Sequence, residues 1–247
     1  PLFDTGEIPK SVACGAYHTL ILTNLGTVYS FGDNAAGQLG VGSTSSLAIA
    51  QKVLGLTNIA QVAAGDYHSL ALGTYGEVYS WGRNTMGQLA DTTLTDKNVP
   101  VLATGAITTE LIVHISASVQ SSFAVTNKGQ VYSWGSNMNG ILGDASAGTS
   151  RSLPGLVNNI DDVHFKALYP SKSTSWVTGI NETSGGYSWG INTFSQLGDK
   201  STTTRLQPVK QVVNENYPST YLVGVGAGST HSLLLLNGTI CYGILAD

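Results

Sequence analysis

Val62-Ala-Ala-Gly-Asp-Tyr-His68-Ser-Leu-Ala-Leu72, then Val78-Tyr-Ser-Trp-Gly82, then Asn84-Thr-Met-Gly-Gln-Leu-Ala90: these three blocks, in this order, decide the fold. The first occurs 50 residues earlier as Val12-Ala-Cys-Gly-Ala-Tyr-His18-Thr-Leu-Ile-Leu22. It returns as Ile115-Ser-Ala-Ser-Val-Gln-Ser121-Ser-Phe-Ala-Val125 and, eroded, as Leu168-Tyr-Pro-Ser-Lys-Ser-Thr174-Ser-Trp-Val-Thr178. A last copy reads Val225-Gly-Ala-Gly-Ser-Thr-His231-Ser-Leu-Leu-Leu235. On this alignment Thr174 takes the histidine position and Trp176 that of Phe123. The second block recurs as Val28-Tyr-Ser-Phe-Gly32, Val131-Tyr-Ser-Trp-Gly135 and Gly186-Tyr-Ser-Trp-Gly190. The third recurs as Asn34-Ala-Ala-Gly-Gln-Leu-Gly40, Asn137-Met-Asn-Gly-Ile-Leu-Gly143 and Asn192-Thr-Phe-Ser-Gln-Leu-Gly198. Self-similarity at a fixed period of this size marks a repeat architecture.

Each unit reads as a β-hairpin with loops. The first two blocks are short and rich in apolar, β-branched and aromatic residues. They are joined by Asn24-Leu-Gly26, Thr74-Tyr-Gly76 or Asn127-Lys-Gly129, where the glycine supplies the positive φ of a tight turn. Asparagine at a fixed place after Trp-Gly tolerates left-handed geometry and bonds nearby backbone. The leucine of Gly-Gln-Leu-Gly is expected to plug that loop against the sheet. A weaker outer strand is expected near 51–54 and 100–102. One unit is too small to hold a core, so units must pack side by side. The fold class is therefore all-β: a β-propeller of four-stranded blades.

Composition agrees. Among 247 residues, 11 basic and 15 acidic side chains give a net charge of −4, and charged residues are only 11%. With 30 glycines, coiled coil is excluded; with 42% hydrophobic residues, extensive disorder is excluded. Eleven scattered cations cannot form a nucleic-acid-binding stripe. The longest apolar run, Leu233 to Leu236, is far too short for a transmembrane helix. Cys14 and Cys241 form neither a metal cluster nor a disulfide framework, and their pairing stays open. The chain opens at Pro1, which suggests processing or a piece of something larger.

The recurring blocks, in order and over nearly the whole chain, resemble the regulator of chromosome condensation repeat. That resemblance implies a β-propeller, in that family a ring of seven blades. Here four full repeats and the start of a fifth are present, so about five blades are expected. Two arrangements stay open: a compact five-bladed ring, or part of a seven-bladed propeller. The expected domain is single, 1–247, with repeats at about 11–60, 61–112, 113–165, 166–222 and 223–247, the last completed by 1–10. Cys241 is read at the position of Tyr29 and Tyr79, where the chain departs from the pattern.

Residues that could carry chemistry have structural readings. His18, His68 and His231 occupy equivalent strand positions, one per blade, and are expected to bond neighbouring strands. Gly224-Val-Gly-Ala-Gly228 lacks the spacing of a dinucleotide loop. Asp161 and Asp162 read as a solvated turn. Trp81, Trp134, Trp176 and Trp189 read as core. No nucleophile–base–orienter set can be assembled, so no enzyme, cofactor or metal is expected.

The expected function is a non-catalytic protein-binding or structural propeller. Its partner would meet the variable loop positions Asp33, Arg83, Thr85, Met86, Met138, Asn139, Ile191 and Phe194, since loops on a rigid scaffold carry recognition. The resemblance also allows guanine-nucleotide exchange on a small GTPase, and propeller architecture allows a lectin. The sequons Asn181-Glu-Thr183 and Asn237-Gly-Thr239 fall at hairpin tips, where glycans would face water. They favour an extracellular or cell-surface location, with the cytoplasm as the alternative.

Overall fold

The computed structural model describes residues 3–158, 163–172, 176–212, 222–237 and 241–244. Blade 1 consists of β1 (Pro9–Cys14), β2 (His18–Thr23), β3 (Val28–Gly32) and β4 (Leu47–Lys52). Blade 2 consists of β5 (Ile59–Ala64), β6 (His68–Gly73), β7 (Val78–Gly82) and β8 (Lys97–Leu102). Blade 3 consists of β9 (Ile112–Ala117), β10 (Ser121–Thr126), β11 (Val131–Gly135) and β12 (Arg151–Leu156). Blade 4 consists of β13 (Phe165–Pro170), β14 (Trp176–Asn181), β15 (Gly186–Gly190) and β16 (Arg205–Lys210). Blade 5 shows β17 (Leu222–Ala227), β18 (Ser232–Leu236) and β19 (Cys241–Ile244). Every blade is an antiparallel meander in chain order. The outer strands begin several residues earlier than the sequence suggested, because each is bulged against its neighbour, as between Ser30 and Gly32.

The apolar residues of the blocks form layers between consecutive blades. Leu20, Leu22, Val28 and Val53 of blade 1 meet Ile59, Val62 and Trp81 of blade 2. Leu70, Leu72 and Val78 meet Ile115, Tyr132 and Trp134 of blade 3 in the same way. Because β6 is covered by a blade on each side, all six of its residues are buried, which explains its unbroken apolar run. Burying one such side chain stabilises by about 1.5–3 kcal/mol.

Register refines the repeat. Trp176 pairs with Gly190 as His18 pairs with Gly32 and His68 with Gly82. Trp176 therefore takes the histidine position, not that of Phe123, and Thr174 lies outside the described residues. Five residues separate β13 from β14, against three between β9 and β10, which offsets the blocks by two. Cys241 pairs with Leu235 as Val78 pairs with Leu72, so it occupies the Val78 position and Tyr242 that of Tyr79. The pattern thus continues into β19.

Five blades are present, and their inner strands β1, β5, β9, β13 and β17 line one central cavity of about 400 Å³. Val12 on β1 is 58% exposed, whereas its counterpart Val62 is 7% exposed beneath the preceding blade. Of residues 1–10, expected to complete blade 5, Pro9 and Lys10 open β1, and residues 3–8 lie along blade 1. Phe3 stacks edge-on to Tyr29 at 5.1 Å, and the Tyr29 hydroxyl donates to Glu7 Oε2 at 2.7 Å. Among the described residues no strand from this segment joins β17–β19.

Candidate functional site

The repeated polar residues build fastenings between blades. His18 Nε2 lies 2.9 Å from Ser69 Oγ on the next blade. Ser69 Oγ donates to the Gln38 carbonyl at 2.8 Å, and Trp81 Nε1 donates to that same oxygen at 2.8 Å. With the serine proton committed to Gln38, His18 Nε2 must carry a proton and donate it. His68, Ser122, Gln88 and Trp134 repeat the arrangement one blade on. Burial, assisted by the charge of Lys172, depresses His18 to about 4 and His68 to about 3. These pairs have the spacing of a serine–histidine dyad without its chemistry: the serine is inaccessible and the histidine is already a donor.

The block spacing follows. A Cβ on Gly15 would sit 2.2 Å from the His18 ring, and Gly65 stands in the same relation to His68 at 2.1 Å. Where blade 3 has Ser121 in place of histidine, Ser118 replaces the glycine. Asn84 holds the third block. Its Nδ2 donates to the Thr93 and Thr95 carbonyls, and its Oδ1 accepts from Leu89 N at 3.0 Å. Leu39, Leu89, Leu142 and Leu197 are all fully buried as plugs. Asp91, Asp144 and Asp199 pair with Lys97, Arg151 and Arg205 at 3.3, 3.4 and 2.6 Å. Burial raises these carboxyls, but hydrogen bonds from Thr93, Ser146 and Ser201 outweigh it and hold them below their ordinary range. Among the described residues no group of three metal-ligating side chains gathers.

With scaffold roles removed, one end of the blades stands out. There the turn after the first strand and the loop after the third lie side by side, tied by Arg83 N donating to the Tyr67 carbonyl at 2.8 Å. Arg83 lies over the Tyr67 ring, 4.2 Å from its centroid, and Tyr17 approaches Tyr67 at 6.2 Å. Tyr17 is 67% exposed. Asp66 and Lys172 flank this row: burial pushes the Asp66 carboxyl up and the Lys172 amine down, each opposed by the other's charge. Lys172 Nζ donates to the Ala64 carbonyl across the cavity. Charge, aromatic surface and a guanidinium held in place by a cation–π contact form a pad suited to binding.

The loop positions expected to meet a partner separate. Arg83 belongs to the pad. Met138 and Phe194 are about half exposed further out on the same face, and Thr85 is exposed. Asp33 is occupied within its own loop, accepting from Gln38 Nε2 at 2.6 Å. Met86 is half-buried against Ser150, Ile191 is half-buried, and Asn139 takes a positive φ of 57° as a turn residue. Tyr17 and Tyr67 were missed because they sit inside a repeated block. Their signal is that the matching positions in blades 3 and 5 are Gln120 and Thr230, a change of residue type inside an otherwise recurring block.

The sequon at Asn181 does not face water. Asn181 is 7% exposed, and its Oδ1 accepts from Gly185 N at 2.6 Å, closing its own turn. The extracellular expectation loses that support. Asn237 is half-buried, and the rest of its sequon lies outside the described residues, as do Asp161 and Asp162. Cys14 is free and exposed. No described helix is long and apolar enough to cross a membrane.

Comparison with known proteins places the fold. Models of the regulator of chromosome condensation repeat match residues 26–72, 75–125, 128–168 and 187–235. The chain is 34% identical over 214 residues to a bifunctional serine/threonine-protein kinase/NEDD4-like E3 ubiquitin-protein ligase of Dictyostelium discoideum, covering 85% of this chain and 9% of that protein. The crystal structure of human WBSCR16 superposes with a TM-score of 0.82 at 23% identity, over 96% of this chain and 60% of that one. Prp20p of Saccharomyces cerevisiae, described with its binding to Gsp1p and histones, superposes with a TM-score of 0.77 at 22% identity, over 94% of this chain and 56% of that one. The chain therefore spans a small part of its Dictyostelium relative and just over half of the similar structures.

Proposed function

The chain belongs to the regulator of chromosome condensation repeat family, and from that premise we propose that it is a non-catalytic protein-binding propeller whose partner meets the Tyr17–Tyr67–Arg83 pad. The carrying observation is the contrast between the repeated histidines, serines and tryptophans, buried between blades, and this surface row of exposed Tyr17 with half-buried Tyr67 and Arg83. Tyrosine and arginine are enriched among interface hot spots, and tyrosine brings a large contact area at modest entropic cost. Arg83 is already positioned by Tyr67, so little ordering is left for binding. Such a module suits a longer protein or assembly that recruits partners, and the matching region makes up only 9% of the Dictyostelium relative.

Native affinity purification from the source cells, with the wild-type chain and with a Tyr17→Ser/Arg83→Ser variant, tests this reading. The variant should retain a copurifying protein at least about tenfold less well, the equivalent of about 1.4 kcal/mol. Equal retention would remove the pad from consideration. Fold similarity to Prp20p supports a second reading, nucleotide exchange on a small GTPase. A nucleotide-release assay across a panel of GTPases decides it, and unchanged rates throughout would end it.

A further inference from the structure

In a repeat array, positions that hold the fold recur, and positions selected for something else break the recurrence. Two such breaks coincide at the opposite end of the blades from Tyr17, on blade 2. The first lies at the last residue of the second strand. There Thr23, Thr126 and Asn181 use a side-chain oxygen to accept the backbone N–H that closes the following turn, from Thr27, Gln130 and Gly185 respectively. Blade 2 has Gly73, which cannot do this. The Glu77 carboxylate folds over the vacated place, with Oε2 2.4 Å from where a Cβ would stand. Among the described residues the Glu77 carboxylate meets neither a hydrogen-bond donor nor a cation; only its backbone carbonyl is engaged, by Gly73 N at 2.8 Å.

The second break is in the linker to blade 3. Residues 103–111 number nine, against six at 53–58 and eight at 157–164, and among the described residues only this linker folds into a 3-10 turn. The added length forms a single 3-10 turn, Ala106–Thr109, that drops Ile107 into the core. Between this turn and the blade 2 hairpin lies a cavity of about 120 Å³, lined by Val78, Leu102 and Ile107 with Tyr75, Glu77 and Glu110. Tyr75 is 78% exposed, and Glu110 already holds Lys128 at 3.2 Å.

From this coincidence we infer that the cavity takes a lysine or arginine side chain presented by a protein partner. The aliphatic stem lies against Val78, Leu102 and Ile107, the cationic head meets Glu77, and Tyr75 covers the stem from the rim. The unpaired carboxylate beside apolar walls selects a cation over a neutral chain and excludes an acidic one. The site is independent of the Tyr17 pad, and either can stand without the other.

Amide NMR titration of the chain with N-acetyl-arginine amide, and with the neutral N-acetyl-norleucine amide, tests it. The arginine probe should shift the amides of Gly76, Glu77, Ile107 and Thr108, and bind about tenfold more tightly than the norleucine probe. Glu77→Gln should abolish that preference. Gly73→Thr restores the residue used by blades 1 and 3 and displaces the carboxylate, so it should weaken the arginine probe as much. Its spectrum away from the turn reports that it folds. Equal binding of the two probes, an unchanged preference in Glu77→Gln, or no shifts at these amides would overturn the assignment.

Discussion

The junction of blades 1 and 2 and the junction of blades 4 and 5 join like sheets with unlike fastenings. In the first, His18, Ser69 and Trp81 converge on the Gln38 carbonyl region above a broad apolar layer. In the second, Ser232 Oγ still donates to the Gln196 carbonyl at 3.0 Å, but Ile244 stands where Trp81 does. Trp176 there reaches the Ser229 carbonyl at 3.3 Å, and among the described residues the buried apolar cluster consists of Ile180, Leu222, Leu234 and Leu236. Between these extremes, Trp189 bonds the Ile141 carbonyl, but Val177 has no hydroxyl to match Ser69. The aromatic row of exposed Tyr17 and half-buried Tyr67 sits on the firmly fastened sector, while the matching turn positions on blades 3 and 5 are Gln120 and Thr230. Recognition placed on the rigid part of a scaffold holds its geometry with little entropy left to lose.

Removing the ring that distinguishes the two junctions should have the largest effect. Trp81→Ala leaves a cavity and one donor fewer on Gln38, and should cost about 3–5 kcal/mol in urea unfolding. A loss under about 1 kcal/mol would erase the distinction.

Acid should act next, and unevenly. His18, held near 4 when folded against an ordinary 6.5, is protonated first in the unfolded chain as pH falls. Stability is therefore intact above about 6.5 and declines towards 4, by on the order of 3 kcal/mol for this residue, and His68 adds to the decline in the same window. Transplanting the blade 3 pair as Gly15→Ser/His18→Ser should flatten the dependence. An identical acid profile would show that these imidazoles are not what the acid attacks.

Ser69→Ala strands the His18 donor and frees the Gln38 oxygen of one partner, for an expected loss of about 2 kcal/mol. Ser121→Ala breaks only a bond to Ser136 within blade 3 and should cost about 1 kcal/mol. Equal costs would deny that the bonds crossing between blades are the stronger fastening. Smallest is Gly73→Thr, expected to stabilise by about 0.5 kcal/mol through the regained turn closure and a less flexible unfolded chain. Destabilisation in thermal unfolding would mean that glycine is needed there for the fold.

Much of this was legible in the residues. Block order gave blade succession, and the plug leucines were readable from spacing. Three features were not. Trp176 was misplaced because identity favoured an alignment that ignored a turn lengthened by two residues. Asn181 looked like a glycan acceptor because a sequon says nothing of whether the turn itself uses the carboxamide. The cavity beside Tyr75 depends on Gly73 and on a 3-10 turn that begins 33 residues further along at Ala106, which only the hairpin and linker packing bring together.

Site-specific photo-crosslinking in the source cells puts the decisive question to the two ends of the arc, with a photoreactive phenylalanine at position 17 or at position 230, the matching place on blade 5. A protein adduct that forms from position 17, fails from position 230 and disappears on adding Arg83→Ser is the predicted result. Adducts from position 230 alone, or the same adducts from both positions, would contradict a partner held by the firmly fastened sector.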